Sequence, residues 1–255
     1  MVAQVIFLIV AAASIALFSL NVRKIIRNIN LGKNTDRSDK PAERLAIMFK
    51  VAFGQSKMVK RPVAAILHLF VYVGFVVINI EVLEIIIDGL FGTHRIFAAP
   101  LGGLYHVLIA SFEVLAALVL LGVVAFYARR NIIKLKRFTG TEMTKWPKSD
   151  ANYILVIEIL LMTAFLTMNA ADAKLQFANV AHYIKAGSFP VSAFLQNILP
   201  NDAASLIAIE RTCWWFHIIG IFAFLNYVPY SKHLHILFAF PASYYGSLNA
   251  KGKIN

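Results

Sequence analysis

The residues best placed to do chemistry are three histidines in one strongly apolar stretch, "RTCWWFHIIGIFAFLNYVPYSKHLHIL" at 211–237. They are His217, His233 and His235. An ionisable side chain inside an apolar segment indicates a functional site before a structural one. An α-helix turns ~100° per residue, so in a continuous helix His217 and His235 would lie on one face, ~27 Å apart. His233 would point away from that face, and Pro229 is a residue that can kink the helix.

Two imidazoles on one helix face suggest ligands for haem iron. Neutral imidazole is a common axial ligand, and a haem inside a helix bundle needs a second ligand from a facing helix. The stretch "RPVAAILHLFVYVGF" offers His68 shortly after Arg61, and His235 shortly follows Lys232. Both therefore lie close to a basic end of an apolar segment, and this common depth predicts a His68–His235 pair.

His217 would need a partner near the opposite end of the bundle. His106, in "LGGLYHVLIASFEVL", is the remaining histidine that looks embedded at about that depth. Nothing in the spacing forces this pairing, and a histidine at a helix end is equally well satisfied by water and backbone. Glu113 shares a face with His106. It is predicted either to serve a proton path or quinone site, or to hold the bundle together through a hydrogen bond.

Other polar and aromatic residues of the apolar segments are interpreted as structural. His233 is expected near a haem edge or the interface, and Trp214 and Trp215 are expected to pack in the bundle, with contact to a quinone ring as the alternative. Residues assigned to ordinary structural or surface roles are Glu81, Glu84, Glu158, His94 and His182.

Five apolar segments must position these side chains. Of the 255 residues, 59% are hydrophobic and 15% are charged, against roughly 25% charged in soluble domains. Each segment approaches the ~20 residues that cross a bilayer as a helix. The segments are Val2–Asn21, Val63–Leu90, Leu104–Ala128, Tyr153–Ala171 and Leu206–Val228. The fold predicted is an all-α, five-helix transmembrane bundle.

Lysine and arginine predict the orientation of this bundle. Residues 23–61 hold 11 of them and residues 129–148 hold 7, whereas the connections on the opposite side hold only four. The positive-inside rule then places the N-terminus outside and the C-terminus in the cytoplasm. The net charge of +12 is explained by topology and by contact with anionic lipid heads, so no nucleic-acid partner is predicted. The single cysteine, Cys213, excludes a disulfide within the chain and a cysteine-ligated iron–sulfur cluster.

The run from His217 through "PYSKHLHIL" resembles the last transmembrane helix of respiratory nitrate reductase gamma subunits and of heterodisulfide-reductase-like membrane subunits. Pro229, Ser231 and Lys232 precede His235 as in that family. The spacing "H-x(5)-GF", which begins at His68, resembles the family's second helix. The resemblance implies a five-helix cytochrome b with its N-terminus outside and two haem-ligating histidines on the fifth helix.

The sequence departs from the family on the second helix. Gamma subunits carry a second histidine ten residues after the first, and Ile78 occupies that position here. The resemblance therefore carries over the inner haem, held by His68 and His235, while the outer haem loses its usual partner. Either His106 replaces that partner, or the protein binds a single haem b. Two haems are favoured.

The resemblance also implies a domain plan and partners. Residues 1–240 are predicted to form the membrane cytochrome b domain, and residues 241–255 a cytoplasmic tail that can act as a linker to an iron–sulfur domain. Because a single cysteine cannot hold an iron–sulfur cluster, the chain is expected to exchange electrons with a cytoplasmic iron–sulfur subunit or domain of the heterodisulfide-reductase type, unless it is part of a longer chain.

The function predicted is electron transfer in the inner membrane between the quinone pool and that iron–sulfur partner. Bis-histidine ligation fills both axial positions of the iron, which favours electron transfer over oxygen binding. Two alternatives stay open. One is a haem-free membrane anchor, and the other is a transporter that relays protons through buried glutamate and histidine, although the sequence has no internal repeat.

Overall fold

The computed structural model describes residues 1–141 and 145–249. The α-helices in these ranges are α1 (Val2–Ile29), α2 (Pro41–Met48), α3 (Pro62–Phe91), α4 (Ala98–Leu101), α5 (Gly103–Asn131), α6 (Trp146–Phe177), α7 (Ser192–Leu195), α8 (Ala203–Tyr227) and α9 (Leu234–Tyr244). A π-helical turn, Phe49–Phe53, follows α2, and 3₁₀ turns lie at Lys136–Phe138, Gln196–Ile198 and Val228–Tyr230. The described residues contain no β-strand.

Five helices are long and apolar enough to cross a membrane, which confirms the predicted five-helix, all-α architecture. They are α1, α3, α5, α6, and α8 with the 3₁₀ turn that extends it. Their apolar windows have mean hydropathies from 2.7 in α5 down to 1.3 in α8. The low value of α8 reflects the polar side chains that it carries, among them Glu210, Arg211 and His217.

Local sequence signals set the helix boundaries. Pro62 stands in the first turn of α3, where its missing N–H costs nothing. Gly92 ends α3 with a φ of 71°, a left-handed conformation that glycine adopts without strain. The Asp202 side chain accepts a hydrogen bond from the Ser205 backbone N–H (2.8 Å) and so caps α8.

The five spanning helices pack in a ring. In order around it, α1 packs against α3, α3 against α5, α5 against α6, α6 against α8, and α8 against α1. Gly74 lets α3 approach α5 closely, because a Cβ there would lie 2.3 Å from the side chain of Val119. The core between the helices includes the almost fully buried Phe7, Phe112 and Phe165.

The last span is not one continuous helix, and the expectation that it runs unbroken from His217 to His235 is wrong. Helix α8 ends at Tyr227, and α9 begins only at Leu234. Buried Asp150 of α6 holds the break between them, since its carboxylate accepts hydrogen bonds from Tyr227 Oη (2.6 Å) and the Lys232 backbone N–H (3.0 Å). The direction of His235 is therefore set by this turn and by α9.

Helix α9 packs beside α2. The buried guanidinium of Arg44 donates hydrogen bonds to the carbonyls of Tyr244 (3.1 Å) and Gly246 (2.9 Å). The rings of Phe53 and Phe240 lie 4.9 Å apart. Helix α9 continues to Tyr244, past the boundary predicted at residue 241, and residues 250–255 of the predicted tail lie outside the described range.

The bundle has two ends, which differ in the residues that they contain. The Arg95 end is the one at which α1, α5 and α8 begin and α3 and α6 end. The histidine end is the opposite one, where His68, His233 and His235 lie with the segments 30–61, 132–141 and 228–249.

Candidate functional sites

Three histidines gather at the histidine end. The ring centroids of His233 and His235 lie 5.9 Å apart, and His233 also packs edge-on against Phe224 at 5.1 Å. The pKa of His233 is lowered to about 4, chiefly by burial of its ring and further by the neighbouring His235 and His68. The predicted partners His68 and His235 thus lie at the same end, with His233 beside them.

The ring nitrogens at this end differ in what they contact. His235 is exposed, and its Nδ1 lies 2.6 Å from the Lys232 carbonyl, so Nδ1 donates and Nε2 carries the lone pair. The Nδ1 atom of His233 is buried without a hydrogen-bond partner among the described residues. His68 is half-buried at the beginning of α3.

His217 is held differently, in the middle of the bundle. Its side chain is 1% exposed, its Nδ1 lies 3.0 Å from the Leu161 carbonyl of α6, and its ring is 5.7 Å from that of Phe165. Since a carbonyl only accepts, Nδ1 donates and Nε2 remains the acceptor. Metal-ligating histidines usually have this arrangement, in which one nitrogen is fixed by a hydrogen bond and the other is presented to the metal.

The structure does not bring His106 to His217. His106 is exposed near the beginning of α5, and its Nδ1 lies 2.9 Å from the Gly187 carbonyl. Helix α5 packs against α3 and α6, whereas α8 packs against α6 and α1. No hydrogen bond or ring contact joins the two histidines within the described residues. Of the two roles that the sequence left open for His106, the geometry supports the satisfied helix-end residue.

Glu113 is a fully buried anchor for the connection 178–202. Its carboxylate accepts hydrogen bonds from the backbone N–H groups of Val191 (2.9 Å) and Ser192 (3.0 Å), from Ser192 Oγ, and from Asn169 Nδ2 (3.2 Å). These donors satisfy both oxygens and fix the beginning of α7 against the bundle. The geometry thus supports the second of its two predicted roles, the bond that holds the bundle together.

The Arg95 end contains a buried network of charged and polar side chains. Arg95 is 6% exposed and donates from Nε to Asp172 (2.7 Å), from Nη2 to Asn169 Oδ1 (3.0 Å) and from Nη1 to Tyr105 Oη (3.2 Å). Burial alone would lower the pKa of Arg95, but the negative charge of Asp172, together with Tyr105 and Glu81, outweighs burial, and the pKa is raised well above its ordinary value. Arg95 is therefore a permanent cation that holds α3, α5 and α6 together.

His94 joins the same network. Its Nε2 lies 3.1 Å from the second oxygen of Asp172, and its side chain is 9% exposed. The rings of His182 and Tyr183 lie 5.6 and 5.2 Å away. Tyr183 in turn donates from Oη to Glu210 of α8 (3.0 Å). The prediction that His94 is an ordinary surface histidine is wrong.

A pocket of about 140 Å³ opens into this network between α1, α3, α6 and α8. Phe7, Trp214 and Trp215 contribute aromatic surface to its lining. Two of its lining residues carry a buried polar atom with no hydrogen-bond partner among the described residues, namely Oε2 of Glu81 and Nδ1 of His94. The other charged residues and histidines of the lining are Glu84, Asp88, Arg95, Asp172, His182, Glu210 and Arg211.

Sequence reasoning missed this pocket, although one signal pointed to it. Glu81, Glu84 and Asp88 are spaced i, i+3, i+7 and so share one face at the end of an apolar helix. Three carboxylates on one buried face require a cation, and Arg95 follows directly. The partner Asp172 lies 77 residues further on, a pairing that no local pattern shows.

Comparison with known proteins links the chain to oxidoreductases. It is 27% identical over 249 residues to the probable iron-sulfur-binding oxidoreductase FadF of Bacillus subtilis, which covers 97% of this chain and 33% of that protein. It is 29% identical over 208 residues to the EtfAB:quinone oxidoreductase of Syntrophomonas wolfei, over 78% of this chain and 27% of that protein. The chain thus corresponds to about a third or less of these relatives. No family model and no solved structure matches it.

Proposed function

We propose that this protein is a membrane-bound cytochrome b that transfers electrons between the quinone pool and an iron–sulfur partner. The two similar proteins are oxidoreductases by name, one described as iron-sulfur-binding and the other as acting with quinone. The five helices that are long and apolar enough to cross a membrane support a location of this chain in a bilayer.

The observation that carries the proposal is the set of histidines in a chain with a single cysteine. One thiolate cannot hold a cysteine-ligated cluster, so redox chemistry within this chain needs another group. The buried His217 has its Nδ1 fixed by the Leu161 carbonyl, and His235 has its Nδ1 fixed by the Lys232 carbonyl. Both leave Nε2 for a ligand, which is the donor chemistry that suits haem iron.

These residues fit a haem by donor type, and each has an assigned role in the proposal. His68 and His235 would hold the inner haem, with the partnerless Nδ1 of His233 at its edge. His217 would ligate a second haem. His106 lies away from His217 and is not the second ligand in this proposal. A bound haem supplies one-electron transfer. The protein supplies ligands, fixed ring orientations and a low dielectric.

Residues around the ligands keep this geometry. Asp150 fixes the turn that carries His233 and His235, since it bonds both Tyr227 and the Lys232 backbone. The carbonyl of Leu161 fixes the tautomer of His217. In the proposed orientation the N-terminus is outside the inner membrane, and the histidine end faces the cytoplasm with most of the basic residues. An iron–sulfur subunit or domain of the heterodisulfide-reductase type would dock there, as the nitrate-reductase-gamma-like resemblance implies.

Reduction by a quinol tests the proposal. Purified protein in lipid nanodiscs, oxidised and free of air, is mixed with menadiol while the visible spectrum is recorded. Appearance of reduced b-type bands supports the proposal. A protein that contains haem but is not reduced by any quinol contradicts the quinone link, and a haem-free anchor or proton-relay transporter would show no b-type bands at all.

A further inference from the structure

The pocket at the Arg95 end contains polar atoms for which the fold provides no partner. We propose that it binds the head group of a hydroquinone, with His94, oriented by Asp172, as the proton acceptor for one hydroxyl and Glu81 facing the other. This inference rests on the proposed function, because the ligand is the quinone of that electron-transfer reaction, and it names the protein groups that handle the protons.

Asp172 determines which nitrogen of His94 is free. One carboxylate oxygen accepts from Arg95 Nε (2.7 Å), and the other lies 3.1 Å from His94 Nε2. A carboxylate held by a permanent cation accepts hydrogen bonds, so Nε2 of His94 carries the proton. Nδ1 is then an unprotonated acceptor, buried and without a partner among the described residues. A carboxylate that orients an imidazole in this way also stabilises the imidazolium formed when Nδ1 takes a proton.

Glu81 supplies the second polar contact. Its side chain is 3% exposed, and Oε1 lies 3.9 Å from Arg95 Nη1. Its other oxygen, Oε2, is buried with no partner within the described residues, and the residue lines the same pocket as His94. A buried polar atom that makes no hydrogen bond is costly, and a ligand that satisfies two of them at once recovers that cost. A ring with two oxygen atoms is such a ligand.

The volume of the pocket and its aromatic lining favour an aromatic ring as the ligand. The pocket volume of about 140 Å³ is close to that of an apolar cavity, about 150 Å³, that accepts one benzene molecule. Phe7, Trp214 and Trp215 supply the aromatic surface against which a ring packs. Ala3 and Gln4, at the beginning of α1, also line the pocket. It therefore lies at the end of a membrane-length helix, a depth that an amphipathic molecule dissolved in lipid can reach.

The proton and electron balance of the proposed step is complete. Oxidation of a hydroquinone to a quinone breaks two O–H bonds and releases two protons and two electrons. One proton goes to Nδ1 of His94 and the other to the Glu81 carboxylate. A haem bound as in the proposed function would supply the one-electron acceptor, and would take up the two electrons one at a time. In the reverse direction the same two groups donate protons to a quinone.

Several charged and titratable groups line the same pocket as His94 or contact its ring. From the elements packed around it they are Glu81, Glu84, Asp88, Arg95, Asp172, His182, Tyr183, Glu210 and Arg211. Arg95 and Arg211 are fixed cations, and Asp172 is bonded to Arg95. Burial, with the nearby charge of His94, lowers the pKa of His182. The variants below therefore separate His94 from these neighbours.

Binding of duroquinol, a single-ring hydroquinone, tests the inference without reliance on turnover. Isothermal titration calorimetry is performed anaerobically on the purified protein in nanodiscs, with far-UV circular dichroism as the check on folding. His94→Gln keeps an amide that can reach Asp172 but removes the Nδ1 acceptor, so the affinity for duroquinol should fall about tenfold. Glu81→Gln should weaken binding. Glu43→Gln makes the same change at an exposed residue of α2 and is the control, which should bind like the wild type.

The outcomes separate this inference from the proposed function. A folded His94→Gln protein that binds duroquinol as tightly as the wild type overturns it. So does absence of binding to a wild-type protein that shows b-type bands, a result that leaves the electron-carrier proposal intact. If the wild type binds duroquinol in the expected way but has no b-type bands, the pocket assignment is supported and the haem proposal fails.

Discussion

The two ends of the bundle both contain histidines and charged side chains, but these side chains are hydrogen-bonded in different ways. At the Arg95 end, side chains pair with one another across helices, as in the contacts of Arg95 with Asp172 and Asn169. At the histidine end, His235 is oriented by a backbone carbonyl three residues away and keeps one nitrogen free. Pairing between side chains fixes the charges at the Arg95 end, whereas at the histidine end the free Nε2 of His235 is the kind of donor atom that binds iron.

The two ends also differ in their buried carboxylates. At the Arg95 end, buried Asp172 and Glu81 lie beside the buried guanidinium of Arg95, so the stability of this end depends on that cation. The histidine end has Asp150 as its buried carboxylate within the described residues, and this group bonds backbone and a tyrosine hydroxyl rather than a cation. Loss of a charge should therefore affect the fold at one end and the placement of the histidines at the other.

The largest effect is expected from Arg95→Met. This change leaves Asp172 and Glu81 buried without their cation and should lower the free energy of unfolding by about 3–5 kcal/mol. Thermal unfolding in nanodiscs, followed by circular dichroism, measures the effect. Adding Asp172→Asn to Arg95→Met should recover part of the loss, and Arg211→Met, at a side chain that is 38% exposed, should cost much less. Equal losses for Arg95→Met and Arg211→Met would contradict the contrast between buried and exposed charge.

The next effect concerns cofactor content at the histidine end. His68→Ala should remove one haem per protein, as counted by a pyridine haemochrome assay, because it deletes a proposed axial ligand. His106→Ala is the matched control, since this exposed histidine bonds only the Gly187 carbonyl among its described contacts and should leave the haem count unchanged. An unchanged count in His68→Ala would refute the inner pair, and a reduced count in His106→Ala would restore the partner predicted for His217.

A smaller effect is expected from Asp150→Asn. The amide is neutral, so the charge-assisted hydrogen bonds that Tyr227 Oη and the Lys232 backbone N–H donate to the carboxylate are replaced by weaker neutral ones, at a cost of about 1–2 kcal/mol. The turn that carries His233 and His235 should loosen, and the midpoint potential of the inner haem should shift in a redox titration. Asn152→Asp on the same helix serves as a control for added charge. A stable Asp150→Asn protein with unchanged potentials would show that the turn does not position the histidines.

The smallest effect is expected at the cap of α8. The hydrogen bonds from Ser205 lower the pKa of Asp202 below its ordinary value of 3.8. The cap therefore stabilises the fold fully above that value and loses its contribution as the pH falls through the lowered pKa. Asp202→Asn should keep the cap at neutral pH and remove this acid dependence, while Asp202→Ala should lower the melting temperature by roughly 1–3 °C. Identical acid dependence in wild type and Asp202→Asn would exclude a charged cap.

The sequence predicted the helices well because their signal is local. A run of about 20 apolar residues spans a bilayer wherever it occurs, so all five spans were found. It did not predict the Arg95 network, because Arg95 and Asp172 meet only through the packing of α3 with α5 and of α5 with α6. Depth along the helices predicted that His68 and His235 lie at one end, and His235 is close enough to His68 for the charges of the two rings to interact, whereas the break between Tyr227 and Leu234 gave no signal beyond Pro229.

The most direct test of the central claim is the reduced-minus-oxidised visible spectrum of the protein, purified after expression with ample haem supply. Our account predicts b-type absorbance that depends on His68 and His217. Colourless protein that is folded in nanodiscs would contradict the electron-carrier function, and only the five-helix architecture would remain.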